Sequence, residues 1–188
     1  VANPENDSVE LLSRTTFVGS AAVGREPSAV VMEGPNVWVA NAGDDTLTKL
    51  VPSEPQQGPF PVGDSPRGLA FDGQHIWVAN AGDGTVMKLS SDGDQLLATN
   101  VGGRPSALLF DGENIWVADV SGGRLVQLAQ DGRRLLTVEV GGAPNALAFD
   151  GEYVWVANAA DGTVTSVTRE GAVVGTYRVG EQPVAIAF

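Results

Sequence analysis

The residues best suited to chemistry in this chain are three arginines, one histidine and a set of short polar side chains that recur along it. Arg25, Arg67 and Arg104 fall in loop segments of similar composition. A polar or variable residue follows a recurrent proline in the same segments, giving the series Ser28, Arg67, Ser106, Asn145 and Val184. A guanidinium offers a planar fork of N–H donors that matches a carboxylate or phosphate. Arg25, Ser28, Arg67, Arg104, Ser106 and Asn145 therefore form a candidate polar mouth for a small anionic group or an acidic partner peptide. The competing reading is a solvated rim without a ligand. His75 is the one histidine and cysteine is absent. A hydrolytic triad needs His or Cys beside a nucleophile, and nothing marks out a carboxylate pair for acid–base work. We read the sequence as non-catalytic and expect no cofactor.

The acidic turns call for a metal check. Asp7, Asp44-Asp45, Asp83 and Asp161 lie in turns of different repeats, one or two carboxylates to a turn, and none matches a calcium-loop pattern. A calcium ion needs roughly six to eight converging oxygens, so turn chemistry explains these residues better and no metal is expected. Without Cys, zinc-thiolate and thiol chemistry are excluded. A second series, Asn3, Asn41, Asn80, Asp119 and Asn158, is nearly uniform. Uniformity fits a structural task, in which the side chain satisfies backbone donors of the following turn. Asn6-Asp7-Ser8 has the form of a glycosylation sequon and is read as a chance match.

The elements that position these residues follow from repetition. Trp38, Trp77, Trp116 and Trp155 are spaced 39 residues apart, as are Pro27, Pro66, Pro105, Pro144 and Pro183. Each unit holds four strand-like runs. In the second full unit, strand a is Gly68 to Phe71, strand b Ile76 to Asn80, strand c Thr85 to Leu89 and strand d Leu96 to Val101. Asp72-Gly73 and Asp92-Gly93 mark hairpin turns, because Gly accepts positive φ. Four short antiparallel strands per unit predict the blade of an all-β propeller. The whole of 1–188 reads as one domain.

Strand a occurs five times, and Val1-Ala2-Asn3 matches the end of a strand b. We expect five blades, the last one closed by N-terminal strands b–d and the C-terminal strand a. The alternative is part of a ring of six to eight blades, which would associate with other copies. The tryptophans, and Phe71, Phe110, Phe149 and Phe188, are expected to wedge between blades. Ala29, Gly68, Ala107, Ala146 and Ala185 are small, as strands near a narrow axis require. Alternating strand direction puts the d–a and b–c loops on one face, which carries both polar series.

The net charge is −12. That balance disfavours nucleic acid and anionic membrane surfaces as partners. No run is apolar enough to span a bilayer. The chain does not start with Met and shows no signal peptide, so we expect a mature product or an excised piece. The expected partner is a protein, peptide or small ligand. A closed ring would be monomeric.

The stretch Trp77-Val78-Ala79-Asn80-Ala81-Gly82-Asp83-Gly84-Thr85-Val86, preceded in the unit by Val62-Gly63 and Pro66, resembles the YVTN-type propeller repeat. The units also resemble the blades of the streptogramin lyase family and, more loosely, the NHL group. The resemblance covers essentially the whole chain. It implies an exported, periplasmic or cell-surface location, which composition does not show. Resemblance to the lyases implies metal-assisted elimination by histidines and a carboxylate on the loop face. The single His75 lies in an a–b turn on the opposite face, so that activity is not carried over. The expectation is a binding scaffold, with a structural, self-assembling body as the alternative.

Overall fold

A computed structural model describes residues 1–13 and 16–187, with the backbone alone described for 11–13 and 16–18. It contains five antiparallel sheets. Blade I has three strands, β1 (Ala2–Asn3), β2 (Ser8–Ser13) and β3 (Thr16–Ala22). Blade II is β4 (Pro27–Glu33), β5 (Asn36–Asn41), β6 (Thr46–Leu50) and β7 (Gln57–Pro61). Blade III is β8 (Pro66–Phe71), β9 (Ile76–Asn80), β10 (Thr85–Leu89) and β11 (Gln95–Asn100). Blade IV is β12 (Pro105–Phe110), β13 (Ile115–Asp119), β14 (Arg124–Leu128) and β15 (Arg134–Glu139). Blade V is β16 (Pro144–Phe149), β17 (Tyr153–Asn158), β18 (Thr163–Thr168) and β19 (Val173–Arg178). No helix occurs among the described residues.

In blade III, strands b and c have the expected bounds, while strand a starts earlier, at Pro66, and strand d at Gln95. The register has a physical cause at the proline. Pro27, Pro66, Pro105 and Pro144 each sit opposite the residue that ends strand b, and a register shift follows each of them. Proline has no N–H for the ladder, so the pairing slips there and resumes at the small residue two positions on.

Strand b is buried along its length in blades III and IV because it lies inside a blade and between blades. Trp38 packs with Ile76, Val78, Met87 and Leu89 of the next blade. Trp77 does the same with Ile115, Val117, Val126 and Leu128, and Trp116 with Val154, Val156 and Val167. All three indoles are 0% exposed. Phe71, Phe110 and Phe149 point the other way, into the seam with the preceding blade. Phe188 lies outside the described residues. Trp155 is only half-buried, tilted against Tyr177.

The expected completion of blade I by the C-terminal strand a is not made in this structure. Residues 183–187 form no ladder, and β1 pairs only within the three-stranded sheet β1-β2-β3. The reason is that the two ends of the row do not cover each other. Val1 and Val179 remain 68% and 57% exposed, whereas their equivalents Val78 and Val101 are 0% and 1% exposed.

Candidate functional site

The d–a loops and b–c turns share one face, tied by backbone hydrogen bonds. Ala42 and Gly43 donate to Glu26 and Arg25 at 3.0 Å each, and Ala81 and Gly82 donate to Ser65 and Asp64 at 3.0 and 2.9 Å. Blade V repeats the pair, from Ala159 to Ala143 and from Ala160 to Gly142. The residue ending strand b sits beneath this junction. Asn41 Oδ1 accepts from the Gly24 amide at 3.1 Å, and its Nδ2 donates to Thr46 and Thr48. Asn158 Nδ2 donates to Thr163 and Thr165, and Asn80 Nδ2 to Thr85. The donor that Asn41 satisfies thus lies in the d–a loop, not in the b–c turn expected from sequence. A β-carbon at Gly24 or Gly141 would stand 2.7 Å from Asn41 or Asn158, which explains the recurrent glycine. Asn3 differs: its Oδ1 accepts from Glu5 N, and its Nδ2 reaches Glu10 at 3.4 Å.

Asp119 is the one acid in the series. It accepts from the amides of Arg104, Ser121 and Gly122 and pairs with Arg124 Nε at 2.9 Å. Burial pushes its carboxyl up. These donors and the Arg124 charge outweigh burial and hold it below the ordinary carboxylate range. The acidic turns serve the same junction. Asp7 accepts from the Glu26 amide, Asp45 from Ser65, Asp83 from Asp64 and Asp161 from Gly142. No group of three metal-binding side chains occurs among the described residues.

The structure divides the candidate mouth into two kinds of residue. Ser28 Oγ donates to the Pro66 carbonyl at 2.6 Å and Ser106 Oγ to the Pro144 carbonyl at 3.2 Å. Both hydroxyls therefore lace one strand a to the strand a of the next blade. Asn145 has a buried Oδ1 without a partner. Arg25 is held on the rim by Asp44 and by the Gly43 carbonyl. The Asp44 hydrogen bond raises the Arg25 pKa further, while the Arg25 amide and guanidinium hold Asp44 below its usual range. Arg67 and Arg104 are exposed, and their side chains make no hydrogen bond or ion pair among the described residues. Arg67 lines an open hollow of about 400 Å³ with Ala2, Pro4, Glu26, Pro27 and Ser28. Arg25 and Arg104 do not line it.

No family model and no curated protein matches the sequence. Solved structures do match. Streptogramin B lyase is 16% identical and superposes over 99% of this chain and 68% of that one, with a TM-score of 0.86. The fold is that of a β-propeller, shared with this lyase. A catalytically inactive virginiamycin B lyase from Staphylococcus aureus, solved with quinupristin, is 13% identical over 98% of this chain and 68% of its own, at TM-score 0.85. A functionally unknown protein from Desulfotomaculum acetoxidans matches at 13% identity, 98% and 67% coverage and TM-score 0.84. At such identities the likeness carries the fold and no activity.

Sequence reasoning missed a clamp on the opposite face of the propeller. The indole N–H of Trp38, Trp77, Trp116 and Trp155 donates to the acid five residues earlier, Glu33, Asp72, Asp111 and Asp150, at 2.7–3.0 Å. Lys49 and Lys88 add a buried cation. Lys49 Nζ lies 2.9 Å from Glu33, and Lys88 Nζ 3.9 Å from Asp72, each over the neighbouring Trp ring. They donate onward to the Ser91 and Gln130 carbonyls of the next blade, and Gln127 does so to Arg169. Constant acid-to-Trp spacing was the available signal. His75 sits in this clamp, Nδ1 3.3 Å from Asp72.

Proposed function

We propose that this chain is a non-catalytic propeller scaffold that binds on the d–a/b–c face, working outside the cytoplasm. The preferred ligand carries a compact anionic group, a carboxylate of a small molecule or of a partner protein. The observation that carries this reading is Arg67. It replaces a serine that elsewhere laces two strands, and it stands exposed beside a hollow, with no partner among the described residues. A guanidinium in that state keeps its whole fork of donors for an incoming carboxylate. Arg104 extends the positive rim, while Arg25 is already engaged by Asp44. The histidine chemistry suggested by lyase resemblance finds only His75, engaged with Asp72 on the other face.

The test is titration with a small dicarboxylate at low ionic strength, followed by the side-chain NMR signals of the arginines. Arg67 Nε is expected to shift on binding, and Arg67→Ala to weaken binding at least tenfold with the melting temperature preserved. Arg25→Ala should change affinity much less. Equal losses from both variants, or no shift at Arg67, would place binding elsewhere.

A further inference from the structure

We propose that a hollow beside the d–a loop joining blades I and II binds one neutral sugar ring, free or at the end of a glycan. This does not rest on the carboxylate reading above, since Arg67 does not line this hollow.

The hollow has a volume of about 220 Å³ and is lined on the blade II side by Thr46 and Thr48 of β6 and by Gln57 and Pro59 of β7. Ordinary pairing fails at its wall. Thr48 is only 5% exposed. Its Oγ1 accepts from Asn41 Nδ2 at 3.0 Å, and its own proton has no acceptor among the described residues. A threonine hydroxyl carries one donor as well as its lone pairs, and a buried donor left unpaired is costly. Blade V shows how the same position is satisfied elsewhere. Thr165, the equivalent of Thr48, faces Thr176 on the neighbouring strand, and their hydroxyls are 3.2 Å apart. Pro59 stands at the Thr176 position and has no hydroxyl to offer.

Thr46 is in the same state for a different reason. In blade III the Thr85 hydroxyl donates to Asp83 at 2.7 Å. Asp44 stands at the Asp83 position, but the Arg25 amide and guanidinium occupy its carboxylate. Thr46 therefore only accepts, from Asn41 Nδ2 at 3.2 Å. Two hydroxyls held by one amide nitrogen thus keep their protons for the same small space. The carboxamides of Gln56 and Gln57 also line it and make no hydrogen bond among the described residues. Each of them both donates and accepts.

This chemistry selects the ligand. No Lys or Arg lines the hollow, so a carboxylate or phosphate meets no counter-charge there. The one charged residue lining it is Asp44, already paired with Arg25. A lone engaged carboxylate is far short of the roughly six oxygens a hard cation needs. A hydroxylated ring fits, because each ring hydroxyl can accept from a threonine and donate to a glutamine oxygen. Val23 and Pro59 supply apolar surface for the C–H face of the ring. Pockets for drug-sized ligands enclose roughly 300–1,000 Å³, so this smaller hollow suits one ring and not a chain of them.

The test is titration with glucose, galactose, mannose and N-acetylglucosamine and with their methyl glycosides. Binding is followed by the methyl signals of Thr46 and Thr48 and the side-chain amide signals of Gln56 and Gln57. At least one sugar is expected to shift all four saturably, while glycerol at the same concentration does not. A methyl glycoside that binds as tightly as the free sugar assigns the ring to the end of a glycan; binding of the free sugar alone assigns a free ligand. Thr48→Val should weaken binding about tenfold, the worth of one good hydrogen bond. Arg25→Ala, an exposed change, releases Asp44 to take the Thr46 proton as Asp83 takes that of Thr85, and should weaken binding by roughly three- to tenfold. Arg67→Ala should leave sugar affinity unchanged, which separates this site from the carboxylate site. No shift with any of these sugars, an equal response to glycerol, loss of sugar binding in Arg67→Ala, or undiminished binding in Thr48→Val or Arg25→Ala each overturns the proposal. Should Thr48→Val fail to fold, Arg25→Ala decides alone.

Discussion

At the scale of single residues, the molecule is stabilised by a repeated contact in which one indole does two things. Its ring fills the seam, and its N–H neutralises part of a buried acid's need for donors. Emptying such a site removes the transfer energy and leaves a cavity, costing about 3–5 kcal/mol. Trp116→Ala is expected to lose that much in urea unfolding. Trp155→Ala should lose clearly less, because that indole is only half-buried; equal losses would show that the seam adds nothing to the indole's contribution. The acids carry a pH dependence of definite sign. Burial raises the Asp72 carboxyl, but the Trp77 indole, the Gln74 and His75 amides and the His75 charge outweigh it and depress its pKa below the ordinary value. Glu33 is depressed in the same way, burial again opposing, by Trp38, Lys49 and Asn36. A depressed folded pKa adds stability that is full above the unfolded value, about 4, and fades as pH falls through the folded value. The stability gap between the parent chain and Asp72→Asn should therefore be constant near neutrality and shrink only below about pH 4. A gap that stays constant to the acid limit would mean that the Asp72 charge is not what the clamp uses.

At the scale of the strand and the loop, the instructive element is the junction beneath the d–a loop. In blades II and V an Asn on strand b bridges to Thr residues on strand c. Blade IV keeps the geometry with different chemistry, Asp119 replacing the Asn and Arg124 the first Thr. The two changes compensate each other within the same chain. Asp119→Asn alone should destabilise by about 1–3 kcal/mol, the usual cost of losing hydrogen bonds to a charged group. Adding Arg124→Thr should recover at least half of that loss, a coupling of the size seen between contacting residues. If the double variant is no more stable than Asp119→Asn, the pair is not a unit. Repetition led to a structural reading of this series without indicating what its side chains hold. The proline offset that brings Gly24 against Asn41 is a register property, and register is invisible in a single strand's pattern. The mouth was legible only as variable positions. Ser28 and Arg67 are equivalent in the repeat, yet one laces strands and the other stands in solvent, because a hydroxyl reaches the next carbonyl and a guanidinium overreaches it.

At the scale of the whole molecule, the strands and their order could be read from the spacing of Trp and Pro, but the angle between blades could not. That angle arises from how closely neighbouring strands a approach: a β-carbon on Gly68 would stand 2.8 Å from the Ser106 carbonyl oxygen of the next blade. The result is a row whose inner blades are covered on both faces and whose ends are covered on one. Stability in such stacks is close to a sum of unit and nearest-neighbour terms, so it should differ along the chain. Amides of β9 and β13, in strands buried throughout, are expected to exchange most slowly. Those of β19 and of 183–187 should exchange fastest, through local openings well below global unfolding. Uniform protection along the chain would instead show that the blades unfold as one cooperative body, with the energy of the seams shared equally by all five.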